Sequence, residues 1–125
     1  MIKYIVLFFT FMLSSYSYSE QPNFKTKNEI NHLITFIKTS ACSFKRNGTW
    51  YKSTDAAEHI SKKYEYVMNK GLINKAEDFI EYSATKSSIS GKQYMIKCGQ
   101  NPELTSAEWL KKELSIFRNK LIKNK

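Results

Sequence analysis

The sequence predicts an α+β fold: about four helices packed on a small antiparallel sheet of two to three strands, with one disulfide. Three observations predict it. Several stretches repeat apolar residues at helical spacing, an Asn-Gly pair separates two short strand-like stretches, and two cysteines, Cys42 and Cys98, flank the strand region. The length of 125 residues allows one small domain and a leader, and excludes multidomain enzymes and repeat arrays.

Composition narrows the class of protein further. The chain carries 20 Lys+Arg against 11 Asp+Glu, a formal charge of +9, and 42% of its residues are hydrophobic. That apolar content is too high for a disordered polycation. The sequence therefore predicts a folded basic protein.

The first 19 residues have the pattern of a secretory signal peptide. One lysine precedes an apolar run over residues 4–13, and small residues follow up to Ser19. The run is too short to span a bilayer permanently. We therefore expect residues 20–125 to form a single exported domain, in the periplasm or, as the alternative, secreted. No transmembrane span is expected after signal cleavage.

Export decides how the two cysteines are interpreted. A cysteine pair in a small exported domain usually forms a structural disulfide, so Cys42 and Cys98 are expected to be bonded, with two free thiols as the alternative. The spacing matches no CxxC metal or redox motif. We expect no metal and no cofactor.

The first helix and a hairpin account for residues 26–51. Thr26 and Glu29 have capping-box spacing, and the helix is expected to run to about Thr39. Residues 42–44 and 49–51 flank the Asn-Gly turn as strands. Trp50 and Tyr51 are expected in the core, with a stacking surface as the alternative.

A second helix begins after a Ser53 or Thr54 cap and stops before Gly71. Its apolar stripe is formed by Ala56, Ala57, Ile60, Tyr64, Val67 and Met68. A third helix opens with Asn74 and Glu77.

The remaining elements are a loop, a strand and a last helix. Residues 87–91 are a polar loop and residues 93–98 a strand. Thr105 with Glu108 caps the last helix, on which Arg118 is interpreted as a surface residue or a partner of the helix dipole.

Several polar residues lie off the apolar stripes and are candidates for function. His59 and Lys63 are one turn apart on the second helix, away from its apolar face, where they can hold an anion or move protons or can be ordinary surface residues. Arg46 is one of only two arginines in a chain with 18 lysines. Its presence indicates a need for the planar, bidentate guanidinium, or alternatively the side chain caps carbonyl groups or pairs with a glutamate.

The loop at residues 87–91 offers three hydroxyls and a glycine, with Lys92 directly after it. Such a loop can bend so that successive N–H groups cradle an anion, or it can be a plain connector. It lacks the spacing of a P-loop, and no GxSxG motif is present.

The ordered motifs resemble the YfeK-like family of small exported bacterial proteins, classed as a domain of unknown function. The resemblance covers nearly all of residues 28–118 and is carried by residues 40–51, 56–63, 76–80, 87–94 and Trp109-Leu110. It implies a bacterial periplasmic protein and implies no activity.

The leading hypothesis is a non-enzymatic binding or interaction protein with no catalytic residues, and a basic, hydroxyl-rich site. The expected site residues are Arg46, Asn47, His59, Lys63, Ser87, Ser88, Ser90 and Gly91. The expected partner is an anionic small ligand, a glycan or a periplasmic protein, and not a nucleic acid. Alternatives are an inhibitor or immunity-type protein that binds an acidic macromolecule, and a small hydrolase. The hydrolase would use His59 as general base, Ser88 or Ser90 as nucleophile, and Glu58 or Glu77 to orient the imidazole ring.

Overall fold

The computed structural model describes residues 21–124. The expected leader, residues 1–19, lies outside the described residues. The elements are α1 (Phe24–Thr39), β1 (Ser43–Arg46), β2 (Thr49–Lys52), α2 (Ser53–Asn69), α3 (Ala76–Ser83), β3 (Met95–Lys97), β4 (Leu104–Thr105) and α4 (Ser106–Lys123). None of these helices combines the length and the apolar character that crossing a membrane requires.

The α+β class and the single disulfide are confirmed, but the strand count is wrong. The antiparallel sheet has four strands in the order β2-β1-β3-β4. The strand that was not predicted is β4, which has two residues and pairs Leu104 with Ile96. A strand of two residues is too short to show an alternation of apolar and polar side chains, so no sequence signal marks it.

The predicted hairpin is present, and its register separates the two faces of the sheet. Asn47 and Gly48 have φ of 50° and 80°, as a tight hairpin turn requires. The register pairs Trp50 with Lys45 on the outer face, where Trp50 is 41% exposed. The expectation that Trp50 is in the core is therefore wrong. Tyr51, opposite the buried Phe44, is half-buried on the helix-facing side.

The helices pack on the inner face of the sheet. Phe44 and Ile96, paired across β1 and β3, are buried and belong to the same apolar cluster as the helix stripes. The helical members of the cluster include Ile30, Leu33, Ile37, Ala57, Ile60, Phe79, Ile80, Leu110 and Leu114. The Cys42–Cys98 disulfide is present, with a Cα separation of 4.4 Å, and it links the start of β1 to the end of β3.

Two helix starts differ from the predictions. Asn23 caps α1 by accepting a hydrogen bond from the Thr26 amide at 2.9 Å, so the helix begins one turn before the Thr26–Glu29 capping box. The prediction for α3 is shifted by one residue: its N-cap is Lys75 and not Asn74. The carboxylate that accepts from the amides of Asn74 and Lys75 is that of Asp78 and not that of Glu77. The Thr105 cap of α4 is confirmed.

Arg118 connects three helices instead of standing on the surface. Its Nε and Nη2 donate to both carboxylate oxygens of Glu29, at 2.7 and 3.0 Å, and Nη2 also donates to Glu77. Glu29 is only 2% exposed. The planar fork therefore satisfies a buried carboxylate of α1 and ties α1 and α3 to α4.

Candidate functional site

Arg46 lies at the turn end of β1 and faces the helices. It is two residues from the buried Phe44, so strand alternation places it on the same side of the sheet. Its Cζ is 4.6 Å from the centroid of the Tyr51 ring, a cation–π arrangement. Within residues 21–124 no carboxylate comes within ion-pair distance of this guanidinium. Of the two arginines, Arg118 is paired with two carboxylates, whereas Arg46 has no carboxylate partner in this part of the chain.

His59 and Lys63 of α2 meet at the hydroxyl of Tyr94, which lies just before β3. Lys63 Nζ donates to Tyr94 Oη at 3.0 Å and to the carbonyl oxygen of Lys86 at 2.8 Å. His59 Nε2 lies 3.2 Å from the same hydroxyl. Because Lys63 donates to this oxygen, the phenol can give its own proton to a neutral His59. The arrangement fixes the His59 ring and the start of the polar loop.

Two cavities border His59. The hairpin pocket, about 290 Å³, is lined by Phe44, Lys45, Arg46, Tyr51, Asp55, Ala56, Glu58, His59, Ile60, Lys62 and Tyr94. The tyrosine pocket, about 270 Å³, is lined by His59, Lys62, Lys63, Tyr66, Val67, Tyr82 and Ser88. His59 and Lys62 belong to both linings and form the wall between the two cavities.

The structure thus brings Arg46, His59, Lys63 and Ser88 to one region, distributed over two adjoining cavities. The other four expected site residues lie outside both linings. Asn47, Ser87, Ser90 and Gly91 instead form the joint between the hairpin turn and the loop that follows α3.

The hydrogen bonds of this joint are satisfied internally. Asn47 donates to the Ser87 hydroxyl and accepts from that of Ser90. The amides of Ile89 and Ser90 donate to Ser87 Oγ, and that of Gly91 donates to the Ser87 carbonyl. The loop consequently does not present an open cradle of successive N–H groups, and its hydroxyls position Arg46 and Ser88.

The geometry for a serine hydrolase is not assembled in the described residues. His59 Nε2 faces Tyr94, the Ser90 hydroxyl donates to Asn47, and within residues 21–124 no hydrogen bond joins His59 to the hydroxyl of Ser88. Glu58 is paired with Lys62 and Glu77 with Arg118, so neither carboxylate orients the His59 ring. Residues 21–124 also hold no group of three His, Cys, Asp or Glu side chains suited to a metal ion.

The positive charges of the site act on its titratable groups. Burial lowers the pKa of His59, and the charges of Arg46, Lys63 and Lys62 lower it further. Burial, followed by the charge of Arg46, lowers the pKa of Lys63. Burial raises the pKa of Tyr94, partly offset by Arg46. At neutral pH the site therefore contains a neutral imidazole and a neutral phenol beside fixed cations.

An NMR titration of His59 is expected to give a midpoint below its ordinary pKa of 6.5. Arg46→Met should raise this midpoint, because it removes the largest coulombic contribution. Because the folded-state pKa is lowered, the stability contributed by neutral His59 is present above pH 6.5 and is lost as the pH falls through the lowered value. Lys112→Met, on the exposed surface of α4, is the matched control and should leave the midpoint unchanged. A parent midpoint at or above 6.5 would contradict the described environment.

Tyr94 is the site residue that sequence reasoning missed. The sequence places it in a strand, and alternation puts Tyr94, Ile96 and Cys98 on one side. A tyrosine on the buried side of a strand needs a partner for its hydroxyl. His59 and Lys63, off the apolar stripe of the second helix, are such partners. Their contact with the Tyr94 hydroxyl could therefore have been predicted from the sequence.

Fold and site together define a small disulfide-linked α+β protein with a surface pocket whose arginine, Arg46, pairs with no carboxylate of residues 21–124. The chain belongs to a family of unknown function (DUF5329), whose model matches residues 24–118. No curated protein and no solved structure matches the chain.

Proposed function

We propose that this protein is an exported, periplasmic binding protein, akin to the YfeK-like proteins, that holds an anionic group of a small ligand, glycan or partner at Arg46. The observation that carries the proposal is the guanidinium of Arg46, half-buried on Tyr51 without a carboxylate partner in residues 21–124. A desolvated cation gains most from an incoming anion. The disulfide supports an oxidising compartment, and the signal-like residues 1–19 support export.

His59 and Lys63 have distinct roles in this proposal. His59 separates the two pockets and presents a neutral ring to a ligand at pH 7. Lys63 spends two of its donors on Tyr94 and Lys86, so it mainly positions the site and contributes its charge. The joint of Asn47, Ser87 and Ser90 holds the hairpin against the loop and thereby keeps Arg46 in place.

A thermal-shift screen of the oxidised protein tests the proposal. The panel is inorganic phosphate, phosphorylated sugars, nucleotides, peptidoglycan fragments and simple carboxylates. A ligand at a hundred times its Kd stabilises by about 2.7 kcal/mol, several degrees in Tm for a domain of this size. We expect at least one anion to raise Tm, Arg46→Ala to abolish the shift, and Lys112→Ala to preserve it. A shift that survives in Arg46→Ala would contradict the assignment of the site.

One observation favours the second candidate, an inhibitor or immunity-type protein that binds an acidic macromolecule. Ile89 is 96% exposed at the tip of the internally bonded loop, beside the tyrosine pocket. Tyr66 and Tyr82 in that pocket are also exposed, and Lys62 and Lys63 border it. Exposed tyrosines and a fixed apolar tip are typical of contact surfaces, and the lysines favour an acidic partner. Salt-sensitive binding to one macromolecule that Ile89→Asp abolishes and Arg46→Ala preserves would favour this candidate.

A further inference from the structure

The hairpin pocket has an apolar floor as well as a cation. Phe44, Ala56 and Ile60 line it and are buried in the core, and Tyr51 and Tyr94 also line it. Such a surface offers little to a compact, strongly hydrated anion, whose water shell it cannot replace. It suits a ligand with an aromatic or branched apolar body.

The charges around the pocket favour a single negative charge on that ligand. Asp55 and Glu58 also line the pocket, and Glu58 is neutralised by Lys62 at 3.2 Å. His59, with its lowered pKa, adds no full charge at pH 7. Lys45 also lines the pocket, but its ammonium lies 5.6 Å from the centroid of the outward-facing Trp50 ring. Within the described residues a dianion would therefore meet Asp55 and pair with Arg46 alone, whereas a monoanion is matched by that arginine.

The planar shape of the Arg46 guanidinium indicates which type of anion it binds best. The Arg46 guanidinium lies over the Tyr51 ring, with Cζ 4.6 Å from the ring centroid, and the edge of a guanidinium offers parallel N–H donors. Carboxylates accept such a fork through two oxygens. In α4 the same chain uses Arg118 in this way on Glu29, with bonds of 2.7 and 3.0 Å.

Building on the proposed function, we propose that the hairpin pocket binds a monocarboxylate carrying an aromatic or branched apolar group. The carboxylate pairs with the Arg46 fork, and the apolar group lies on Phe44 and Ile60 between the two tyrosine rings. A volume of about 290 Å³ is at the small end for ligand sites, so it accommodates one such group. A free small acid and the C-terminal residue of a peptide share this chemistry.

Titration calorimetry with five probes tests the inference on the full oxidised chain. N-acetyl-L-phenylalanine represents a peptide end and phenylacetate a free acid. Acetate lacks the apolar body, N-acetyl-L-phenylalaninamide lacks the charge, and inorganic phosphate represents a compact anion. We expect at least one of the two phenyl acids to bind at least tenfold more tightly than each of the other three probes. The stronger of the two phenyl acids identifies the source.

Two substitutions of Arg46 and one control accompany the probes. Arg46→Lys keeps the charge and removes the fork, and we expect it to weaken binding of the phenyl acids about tenfold, with Arg46→Ala weakening it further. Lys112→Ala should bind like the parent, and unfolding curves report whether each variant is folded. Phosphate binding that depends on Arg46, without binding of either phenyl acid, would overturn this inference and leave the proposed function standing. If no anion binds in an Arg46-dependent way, both are overturned.

Discussion

Arg118→Met is expected to give one of the largest losses of stability of any single change in this protein. The substitution keeps much of the aliphatic stem but leaves Glu29, 2% exposed, without its partner. Removing one partner of a buried pair costs ~3–5 kcal/mol, and we expect the lower end because Arg118 itself is 36% exposed. Urea unfolding followed by circular dichroism measures the loss.

Lys112→Met removes the same charge from an exposed position of the same helix and should change stability by no more than about 0.5 kcal/mol. The double variant Glu29→Met/Arg118→Met should recover much of the loss, because no buried charge then remains unpaired. Equal free energies of unfolding for Arg118→Met and Lys112→Met would show that the ion pairs of Arg118 contribute nothing to stability.

The ion pairs of Arg118 also make the free energy of unfolding depend on pH in the acidic range. The hydrogen bond from Arg118 lowers the pKa of Glu77. A carboxyl group with a lowered folded-state pKa stabilises above its unfolded pKa of about 4.3, and this stability is lost as the pH falls through the lowered value. Arg118→Met should therefore lose less stability than the parent when both are acidified below that pH.

Reduction of the disulfide is expected to have an effect of similar size. Cys42 and Cys98 are separated by 56 residues, and the chain-entropy model assigns roughly 4 kcal/mol to closing a loop of this length. For a domain of about 100 residues this corresponds to a Tm lower by on the order of 15–30 °C. Thermal unfolding with and without a phosphine reductant measures the difference.

The double variant Cys42→Ala/Cys98→Ala is the control for the reductant. Its Tm should match that of the reduced parent, and adding the phosphine should not lower it further. An unchanged Tm on reduction of the parent, verified by titration of two free thiols, would mean that the unfolded state is already constrained without the bond.

Several features that depend on neighbouring residues could be predicted, whereas β4 and the pairing of Arg118, which depend on distant contacts, could not. The Asn47-Gly48 turn, the end of α2 and the Thr105 cap depend on residues adjacent in sequence, and all are confirmed. The strand β4 exists because Leu104 pairs with Ile96 of β3. The position of Arg118 depends on Glu29, which is 89 residues away.

The candidate site shows the same division. The positions of His59 and Lys63 off the apolar stripe of α2 could be determined from spacing alone, and composition alone singles out Arg46. That Asn47 and Ser90 bond to each other could not, because the partners are 43 residues apart. The Ser87 and Ser90 hydroxyls, predicted to contact a ligand, thus bond within the protein, while Arg46 pairs with no carboxylate of the described residues.

The disulfide closes residues 42–98 into a covalent ring, and the site lies within this ring. Arg46, Tyr51, His59, Lys63 and Tyr94 all lie between Cys42 and Cys98, whereas α1 and α4 lie outside the ring. A protease that cuts one bond within the ring leaves both fragments joined. A force applied to the chain ends cannot draw out these 56 residues, roughly 190 Å of extended chain, until the bond is reduced. The pocket residues are thus linked to one another by two routes along the covalent chain.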